Sequence, residues 1–497
     1  MPKIRYICLS DMHLGNTCSL LTHLDPKDLL PDPMRPSPVL GALAKCLSSL
    51  LPKKETDDEN NPTLILNGDI LDLAFSMENQ AAMAFERFIE QILPLFRKDI
   101  FYIPGNHDHH LWETARESKY TQFILGKFGQ QSFPKDQEPL PAPWHSTRMF
   151  VERKQQNLAT SPLLESLFKM HGLHKGPTVV YPNFGLLSQD NRKCLVFHHG
   201  HFVESLYRFA STLRDLIFPA RANPIHTWNL EEENFAWIDF IWSTLGRSGS
   251  AGRAFGVVYQ IVKDHRETQK FLSACTDRLA GCSSSKWLAL TRPLLRLICP
   301  YFLGKILQPE KLLKSERSSL EKRLSDDAKK GLKWYIEGPL KEQLSIELKR
   351  EGTFPEVTFV FGHTHKPFQG EIDSDEYPGG VKVYNSGGWV VDTVEREPLY
   401  GGTIILVDEN LELCSLRMYN ESGKAKDYRV CVAEVCPHGV TPSPFSEEIR
   451  GLVGAGISPW KDFSDTVASE IDLRARYLKQ TIKNAQSTKG PLRYYPP

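Results

Sequence analysis

The sequence lacks an excess of charge of either sign and any ordered cysteine pattern. Its 60 Lys and Arg side chains are matched by 60 Asp and Glu side chains, so charge gives no reason to expect nucleic acid as the main partner. Its ten cysteines are scattered and include no CxxC pair, which argues against a disulfide framework. Reduced thiols in a cytoplasmic protein are therefore the expected state.

Long uncharged apolar runs are also missing. The longest apolar stretch, Trp287 to Leu307, contains three basic side chains and two prolines, which argue against a membrane-spanning helix. Near the start of the chain, Lys3 and Arg5 precede a short strand pattern and not the apolar core of a secretory signal. Both observations agree with the expected cytoplasmic location.

What the sequence does contain is a repeated pattern of short apolar runs that end in Asp, Asn or His. Four such runs lie at 63–69, 99–108, 193–201 and 357–365, and a fifth at 3–9 is followed closely by Asp11 and His13. Runs of this length fit strands that are buried on both faces, in a sheet sandwiched by helices. Because loops at strand ends commonly carry the chemistry in such folds, we expect the five ends to converge on one site.

The chain of 497 residues is long enough for two or three domains, or for one large domain with insertions. The segment 202–350 has helical periodicity without clear strand runs, and it lies between two motif-bearing strands. We therefore expect a core at 1–201 and 351–430, a helical insertion or cap at 202–350, and a C-terminal extension at 431–497.

The polar side chains at the strand ends are of the types that bind divalent first-row metals. Asp11 and His13 are separated by one residue, as are His363 and His365, so in extended backbone each pair projects to one side. No cysteine joins them, which argues against a structural zinc site. The candidates exceed the needs of one ion, and a pair of ions that share one carboxylate would use them well.

The motifs in their order along the chain resemble those of the calcineurin-like metallophosphoesterase superfamily. The matching motifs are Asp11-Met12-His13, Gly68-Asp69, Gly105-Asn106-His107-Asp108, His199-Gly200 and Gly362-His363-Thr364-His365, followed by YNSGGW at 384–389. The resemblance implies an α/β fold, specifically a four-layer αββα sandwich with the metals at one edge of two facing sheets. The helical insertion is expected in addition to that core.

The resemblance also implies a division of labour among the site residues. The first metal would be held by Asp11, His13 and His365, the second by Asn106, His199 and His363, and Asp69 would bridge the two. His107 would donate a proton or hydrogen bond to the leaving or phosphoryl oxygen, and Asp108 would orient its ring. The cofactors would be two divalent ions, with manganese expected and iron, zinc or cobalt as alternatives.

The stretch FHHGH at 197–201 offers three histidines for one ligand position. His199 is chosen because it directly precedes glycine, as the ligand of the superfamily often does. His198 could pack into the strand. His201 is expected to touch substrate.

The implied activity is cleavage of a phosphoester or pyrophosphate bond by a hydroxide held between the ions. The opening SDMHLG and the helical insertion resemble enzymes of the UDP-2,3-diacylglucosamine pyrophosphohydrolase type, so the small-molecule substrate could be nucleotide- or lipid-linked under a helical lid. The insertion here is much longer, about 150 residues, which leaves the substrate open. Alternatives are a nuclease or cyclic-nucleotide phosphodiesterase, and a non-catalytic metal-binding scaffold.

The segment 286–350 carries 15 basic and 8 acidic side chains around its apolar stretch. Such a segment could rest on an anionic membrane surface or hold an anionic substrate. The favoured interpretation is a helical lid that buries its apolar face on the core and leaves its cations solvated.

Overall fold

The computed structural model describes residues 3–51, 61–129, 140–151, 159–218, 226–248, 322–350, 354–422, 428–436, 441–454 and 456–486. The apolar stretch at 286–307, and with it most of the segment that could meet a membrane, lies outside these residues. Within the described part, no helix is both long and apolar enough to cross a bilayer.

The regular elements alternate between strands and helices through the first half of the chain. The strands are β1 (Ile4–Leu9), β2 (Thr22–Leu24), β3 (Pro31–Pro36), β4 (Thr63–Asn67), β5 (Phe101–Ile103), β6 (Thr178–Val179), β7 (Asn183–Leu187), β8 (Lys193–His198), β9 (Glu356–Phe361), β10 (Phe368–Ile372), β11 (Val381–Asn385), β12 (Gly401–Asp408), β13 (Leu413–Asn420) and β14 (Cys431–Ala433). The helices are α1 (Pro38–Leu50), α2 (Glu78–Ile92), α3 (His110–Phe128), α4 (Pro162–Met170), α5 (Phe209–Ile217), α6 (Thr227–Ile238), α7 (Asp326–Tyr335), α8 (Lys341–Leu348), α9 (Pro444–Leu452) and α10 (Trp460–Gln486).

The strands form two large sheets and one small hairpin. The first sheet has the order β14-β13-β12-β1-β4-β5-β6, and the second has the order β10-β11-β9-β8-β7. Strands β1, β4, β5 and β6 pair in parallel, as do β8, β9 and β11. The carboxyl ends of parallel neighbours lie at one edge of a sheet, so the motif residues that follow these strands gather at that edge.

The two sheets pack face to face because alternate residues of each strand point to opposite sides. Cys8, Ile65 and Phe101 of the first sheet share an inner core with Phe184, Phe197 and other residues of the second. The rings of Phe101 and Phe184 are 4.2 Å apart between centroids. This inner core holds the metal-ligand candidates of both sheets at one shared edge.

Helices cover both outer faces. On the first sheet, α1 buries Leu40, Leu43 and Leu47 at helical spacing, and the Ser37 hydroxyl caps the helix by accepting from the Leu40 amide at 3.0 Å. On the second sheet, Tyr335 of α7 packs over the His198 ring, with centroids 4.5 Å apart. The layers therefore run helix, sheet, sheet, helix, and the α/β fold class expected from the sequence is confirmed.

The described parts of 202–350 contain helices and no strand, with α7 and α8 joined by a wider turn over Ile336–Leu340. Beyond residue 430, β14 pairs with β13 and so belongs to the first sheet. Helix α10 lies beside this sheet, where the Arg474 guanidinium donates to the Ser19 carbonyl at 2.9 Å. The division into core, insertion and extension stays a prediction, and the extension contributes to the core sheet.

Candidate metal centre

The backbone turns sharply as soon as the motif-bearing strands end. Asp11, His13, Asp69, His363 and His365 all have positive φ, between 48° and 69°. The expectation that the Asp11–His13 and His363–His365 pairs lie in extended backbone is therefore wrong. Left-handed backbone costs a side-chain-bearing residue about 1–3 kcal/mol, so five such residues in one place indicate a site that the surrounding contacts enforce.

Hydrogen bonds between the loops enforce these turns. The Asp11 amide donates to the Gly68 carbonyl and the His13 amide donates to the Asp69 carbonyl, each at 2.9 Å. The His363 amide donates to the Asp11 carboxylate at 2.8 Å. Each loop is thus tied to a loop that comes from another strand.

A first group of ligand atoms forms where β1 and β9 end. The Nε2 atoms of His13 and His365 are 3.1 Å apart, and Asp11 Oδ1 lies 3.6 Å from His365 Nε2. Asp69 Oδ2 lies 3.6 Å from His13 Nε2. All four side chains are buried.

A second group forms beside the first, where β4, β5 and β8 end. His199 Nε2 lies 3.1 Å from Asn106 Oδ1, 3.3 Å from His363 Nδ1 and 3.3 Å from Asp69 Oδ2. The same oxygen of Asp69 therefore faces both groups. The seven side chains expected to bind metal are together at one place.

The other two histidines of FHHGH lie elsewhere. His198 packs on the outer face of the second sheet against Tyr335. His201 is fully buried, and its Nε2 lies 2.9 Å from the Tyr181 hydroxyl. The expectation that His201 touches substrate is contradicted, because its ring is enclosed in a hydrogen-bonded network behind the site.

An outer oxygen atom lies near the second nitrogen of each candidate histidine ligand. Asp72 Oδ2 lies 3.2 Å from His13 Nδ1, Asp392 Oδ2 lies 2.6 Å from His365 Nδ1, and Glu204 Oε1 lies 2.8 Å from His363 Nε2. For His199 the acceptor is the Asn67 carbonyl, at 3.4 Å from Nδ1. A neutral imidazole that donates outward presents its lone pair inward, which is how metal-binding histidines are oriented.

The donor set fits divalent cations. Lone pairs of four imidazoles, the oxygen of an amide and two carboxylates converge, and such a group is stable only around positive charge. In a four-coordinate site with bonds of about 2.0–2.2 Å, ligand atoms stand roughly 3.3–3.6 Å apart, which matches the separations above. Glycines allow the ligand atoms to lie this close together. A Cβ on Gly362 would collide with Asp11 Oδ2, and a Cβ on Gly105 would collide with Asp69 Oδ1.

The sequence reasoning missed Asp72, Asp392 and Glu204. Asp72 follows Asp69 by three residues in GDILD, which was an available signal. Asp392 and Glu204 had no local signal, because each reaches its histidine only through the tertiary fold.

His107 and Asp108 have different surroundings from those expected. His107 Nδ1 lies 3.1 Å from Asp72 Oδ1, and its ring is 4.5 Å from that of His13. The Asp108 carboxylate instead accepts from the amides of Gly105 and Ile70 and from the Tyr102 hydroxyl, at 2.6, 2.8 and 2.5 Å. Asp72, and not Asp108, therefore orients the His107 ring.

Comparison with known proteins agrees with this geometry. Residues 4–220 match the family model of calcineurin-like phosphoesterases. Over these residues the chain carries a calcineurin-like phosphoesterase domain. It is accordingly a phosphoester hydrolase of a metal-dependent family with His and Asp groups that could hold the ions.

A solved structure of another hydrolase was also matched. The crystal structure of phosphopantetheinyl hydrolase (PptH) from Mycobacterium tuberculosis has 12% sequence identity and a TM-score of 0.23, over 78% of this chain and 91% of that chain. No curated protein sequence matches the phosphoesterase.

The histidines around the shared carboxylate, Asp69, determine its pKa. Burial by itself would raise the pKa of Asp69, but His199, His107 and His13 hold that pKa well below its usual range. Burial would likewise lower the pKa of His199, but Asp69 raises it to about 9. Without a cation, a proton on His199 therefore balances Asp69, and a divalent ion would replace that proton.

We predict that metal binding to the metal-free phosphoesterase releases protons. Below pH 9 His199 is protonated, so an ion must displace that proton, and above this pH no displacement is needed. Titration calorimetry in buffers of different ionisation enthalpy should count at least one proton per chain near pH 7.5 and fewer near pH 10. A proton count that does not change across this range would contradict the pairing of His199 with Asp69.

We also predict that the main effect of Asp108→Ala is a loss of stability. The orientation of the His107 ring should be kept, because Asp72 contacts it. The substitution leaves several buried donors without their acceptor, among them the Tyr102 hydroxyl and the Gly105 and Ile70 amides, at about 1–3 kcal/mol each, so the urea midpoint of unfolding should fall strongly. The control Asp465→Ala, on the exposed face of α10, should change stability by no more than about 0.5 kcal/mol. An unchanged midpoint together with a large loss of turnover would instead support the sequence-based role of Asp108.

Proposed function

We propose that this phosphoesterase is a dinuclear metal-dependent hydrolase. Asp11, His13 and His365 would hold one ion, and Asn106, His199 and His363 the other, with Asp69 shared. The single observation that carries the proposal is that Asp69 Oδ2 lies within 3.6 Å of His13 Nε2 and 3.3 Å of His199 Nε2. When bound, two ions of this kind, with manganese preferred, would supply Lewis acidity and a water-derived nucleophile near neutral pH.

His107 is the proposed acid for the leaving group. Its Nδ1 is held by Asp72, which also contacts His13, so the ring keeps one orientation beside the first group of ligands. With Nδ1 engaged, Nε2 is the atom that would hold the proton for a departing oxygen. Positioned acids of this type typically accelerate reactions by about 10²–10⁴-fold.

The proposed substrate is a small phosphoester or pyrophosphate, nucleotide- or lipid-linked. Elements that follow β8 approach the second group closely: Glu204 contacts His363, and the Tyr207 ring is 5.1 Å from the His363 ring. Such a covered site suits a small molecule better than a protein surface. Apolar side chains of α5 that face solvent, Leu213, Leu216 and Ile217, offer nearby area for a lipid chain or a peripheral membrane contact.

Three other functions were open from the sequence. A nuclease finds no support in the balanced charge of the chain. A non-catalytic scaffold is disfavoured because the ligand set and the acid candidate His107 lie together. Cyclic-nucleotide hydrolysis stays an alternative that the substrate assay below decides.

A cytoplasmic location belongs to the same proposal. The cysteines within the described residues are free thiols, which suits a reducing compartment.

We predict that the manganese-loaded protein hydrolyses small phosphate esters. The assay compares bis-p-nitrophenyl phosphate, p-nitrophenyl phosphate, cyclic nucleotides and UDP-linked sugars with and without acyl chains. A preference for acylated UDP-sugars would support a lipid-linked substrate. Equal rates with and without acyl chains would exclude that substrate class. No hydrolysis of any ester by protein that holds two ions would overturn the proposed function.

Variants at the two central side chains separate metal binding from proton donation. His107→Ala should keep both ions by elemental analysis but lower turnover of an unactivated ester by about 10²–10⁴-fold. Asp69→Asn should lose metal as well, because it removes the shared charge. The exposed His174→Ala variant is the control and should match the wild type. Full activity of His107→Ala on an unactivated ester would exclude the acid role.

A further inference from the structure

A buried carboxylate from helix α6 enters the core behind the metal centre. His109 Nε2 donates to Glu231 Oε1 at 2.7 Å, and the Tyr181 hydroxyl donates to Glu231 Oε2 at 3.0 Å. Glu231, His109 and Tyr181 are fully buried. Both oxygens of one side chain are thus engaged by groups from the phosphoesterase core.

Each of these contacts leads to a loop that carries ligand candidates. His109 lies three residues after Asn106 and two after His107, in the turn that starts α3. Because the Tyr181 hydroxyl donates to Glu231, its oxygen accepts from His201 Nε2 at 2.9 Å. His201 lies two residues after His199. One carboxylate therefore ties together the loops of the second group of ligands.

The turn that follows α6, Asp239–Ser243, holds the same loop at a second point. The Ser243 hydroxyl accepts from the His110 amide at 2.8 Å and lies 3.4 Å from the His107 carbonyl, to which it can donate. Asp239 Oδ1 lies 3.3 Å from His110 Nδ1. The backbone on both sides of His107 is thus held by the helix that the sequence assigns to the insertion.

The contact between His109 and Glu231 joins two opposite charges in the buried core. Burial by itself would lower the pKa of His109, but the carboxylates of Glu231 and Asp239 raise it to about 10. The pair is an imidazolium and a carboxylate that share a dry interior. Removal of Glu231 would leave a buried cation with much less compensation, so the loop that carries it would have to move.

We propose that Glu231 is a positioning residue through which helix α6 sets the geometry of Asn106, His107 and His199. Its effect on metal binding stands on the hydrogen bonds alone, and its effect on turnover rests on the proposed function. The first group, built by Asp11, His13 and His365, follows strands β1 and β9 and reaches His107 through Asp72, so it provides the more distant reference.

The test compares Glu231→Ala and Glu231→Gln with the wild type, and uses Glu232→Ala as a matched control. Glu232 is the next residue of α6 and is exposed. The amide of Gln keeps an acceptor and a donor at the same place, so Glu231→Gln should retain part of the network. Thermal unfolding of each full-length variant establishes that it is folded before any comparison.

The first readout is the affinity of the metal-free protein for Co²⁺, followed by the visible absorption of the bound ion. Glu231→Ala should weaken the site built by Asn106, His199 and His363 by about 10–100-fold and alter its spectrum, while the other site changes little. Glu231→Gln should fall between Ala and wild type, and Glu232→Ala should equal wild type. Unchanged affinities and spectra for both ions in a folded Glu231→Ala protein would overturn the proposal.

The second readout is the dependence of turnover on the leaving group. An activated nitrophenyl ester needs little help from an acid, whereas an alkyl ester needs His107. Glu231→Ala should therefore lose more activity on the alkyl ester, by about 10-fold or more, than on the nitrophenyl ester. Equal losses on both esters would contradict positioning of His107.

The two proposals fail in different ways. If the wild type binds two ions but cleaves no ester, the proposed function fails, and the Co²⁺ titration still decides the role of Glu231. If the wild type cleaves esters while Glu231→Ala matches it in Co²⁺ binding and leaving-group dependence, only the positioning role fails.

Discussion

The buried carboxylate of Asp69 is the interaction on which the rest of the site depends. One of its oxygens faces His13 on one side and His199 on the other, and the other oxygen accepts from the His107 amide at 2.8 Å. A bare carboxylate in a dry interior is unstable, so the surrounding imidazoles and the proposed cations are required to balance it. The two sheets must therefore meet at this edge with their loops in register, since each sheet supplies part of that balance.

Rigidity around this carboxylate comes from an outer layer of acceptors. Asp72 contacts both His13 and His107, Asp392 contacts His365, and the Glu204 carboxylate lies beside the outer nitrogen of His363. These groups fix which nitrogen of each ring faces inward, and in that way they decide whether the site can bind a metal at all. The outer layer also explains how left-handed backbone can persist at the ligand residues: the strain is offset by contacts that hold each loop from several directions.

Some site residues could be predicted from the sequence, and others could not. Asp11, Asp69, Asn106 and His363 could be assigned because each directly follows an apolar run, and parallel strands place such ends at one edge. The role of Asp108 was misassigned because neighbours in sequence are not neighbours in orientation: its side chain turns toward Tyr102 and the Gly105 amide, while Asp72 reaches His107 from another loop. His201 was misassigned for the same reason, since the turn after Gly200 directs it toward Tyr181.

The sequence by itself determined the strand pattern, the α/β class, the residue types available for metal binding and their positions after the strands, because periodicity and local motifs are properties of the chain. Only the tertiary structure decided which histidine nitrogen faces inward, which carboxylate contacts which ring, and how helix α6 reaches the loops through Glu231. These choices depend on contacts between residues far apart in the chain, such as Glu231 with His109 and His365 with Asp392. Local sequence carries no record of such distances, since they arise only when the two sheets and the helices pack together.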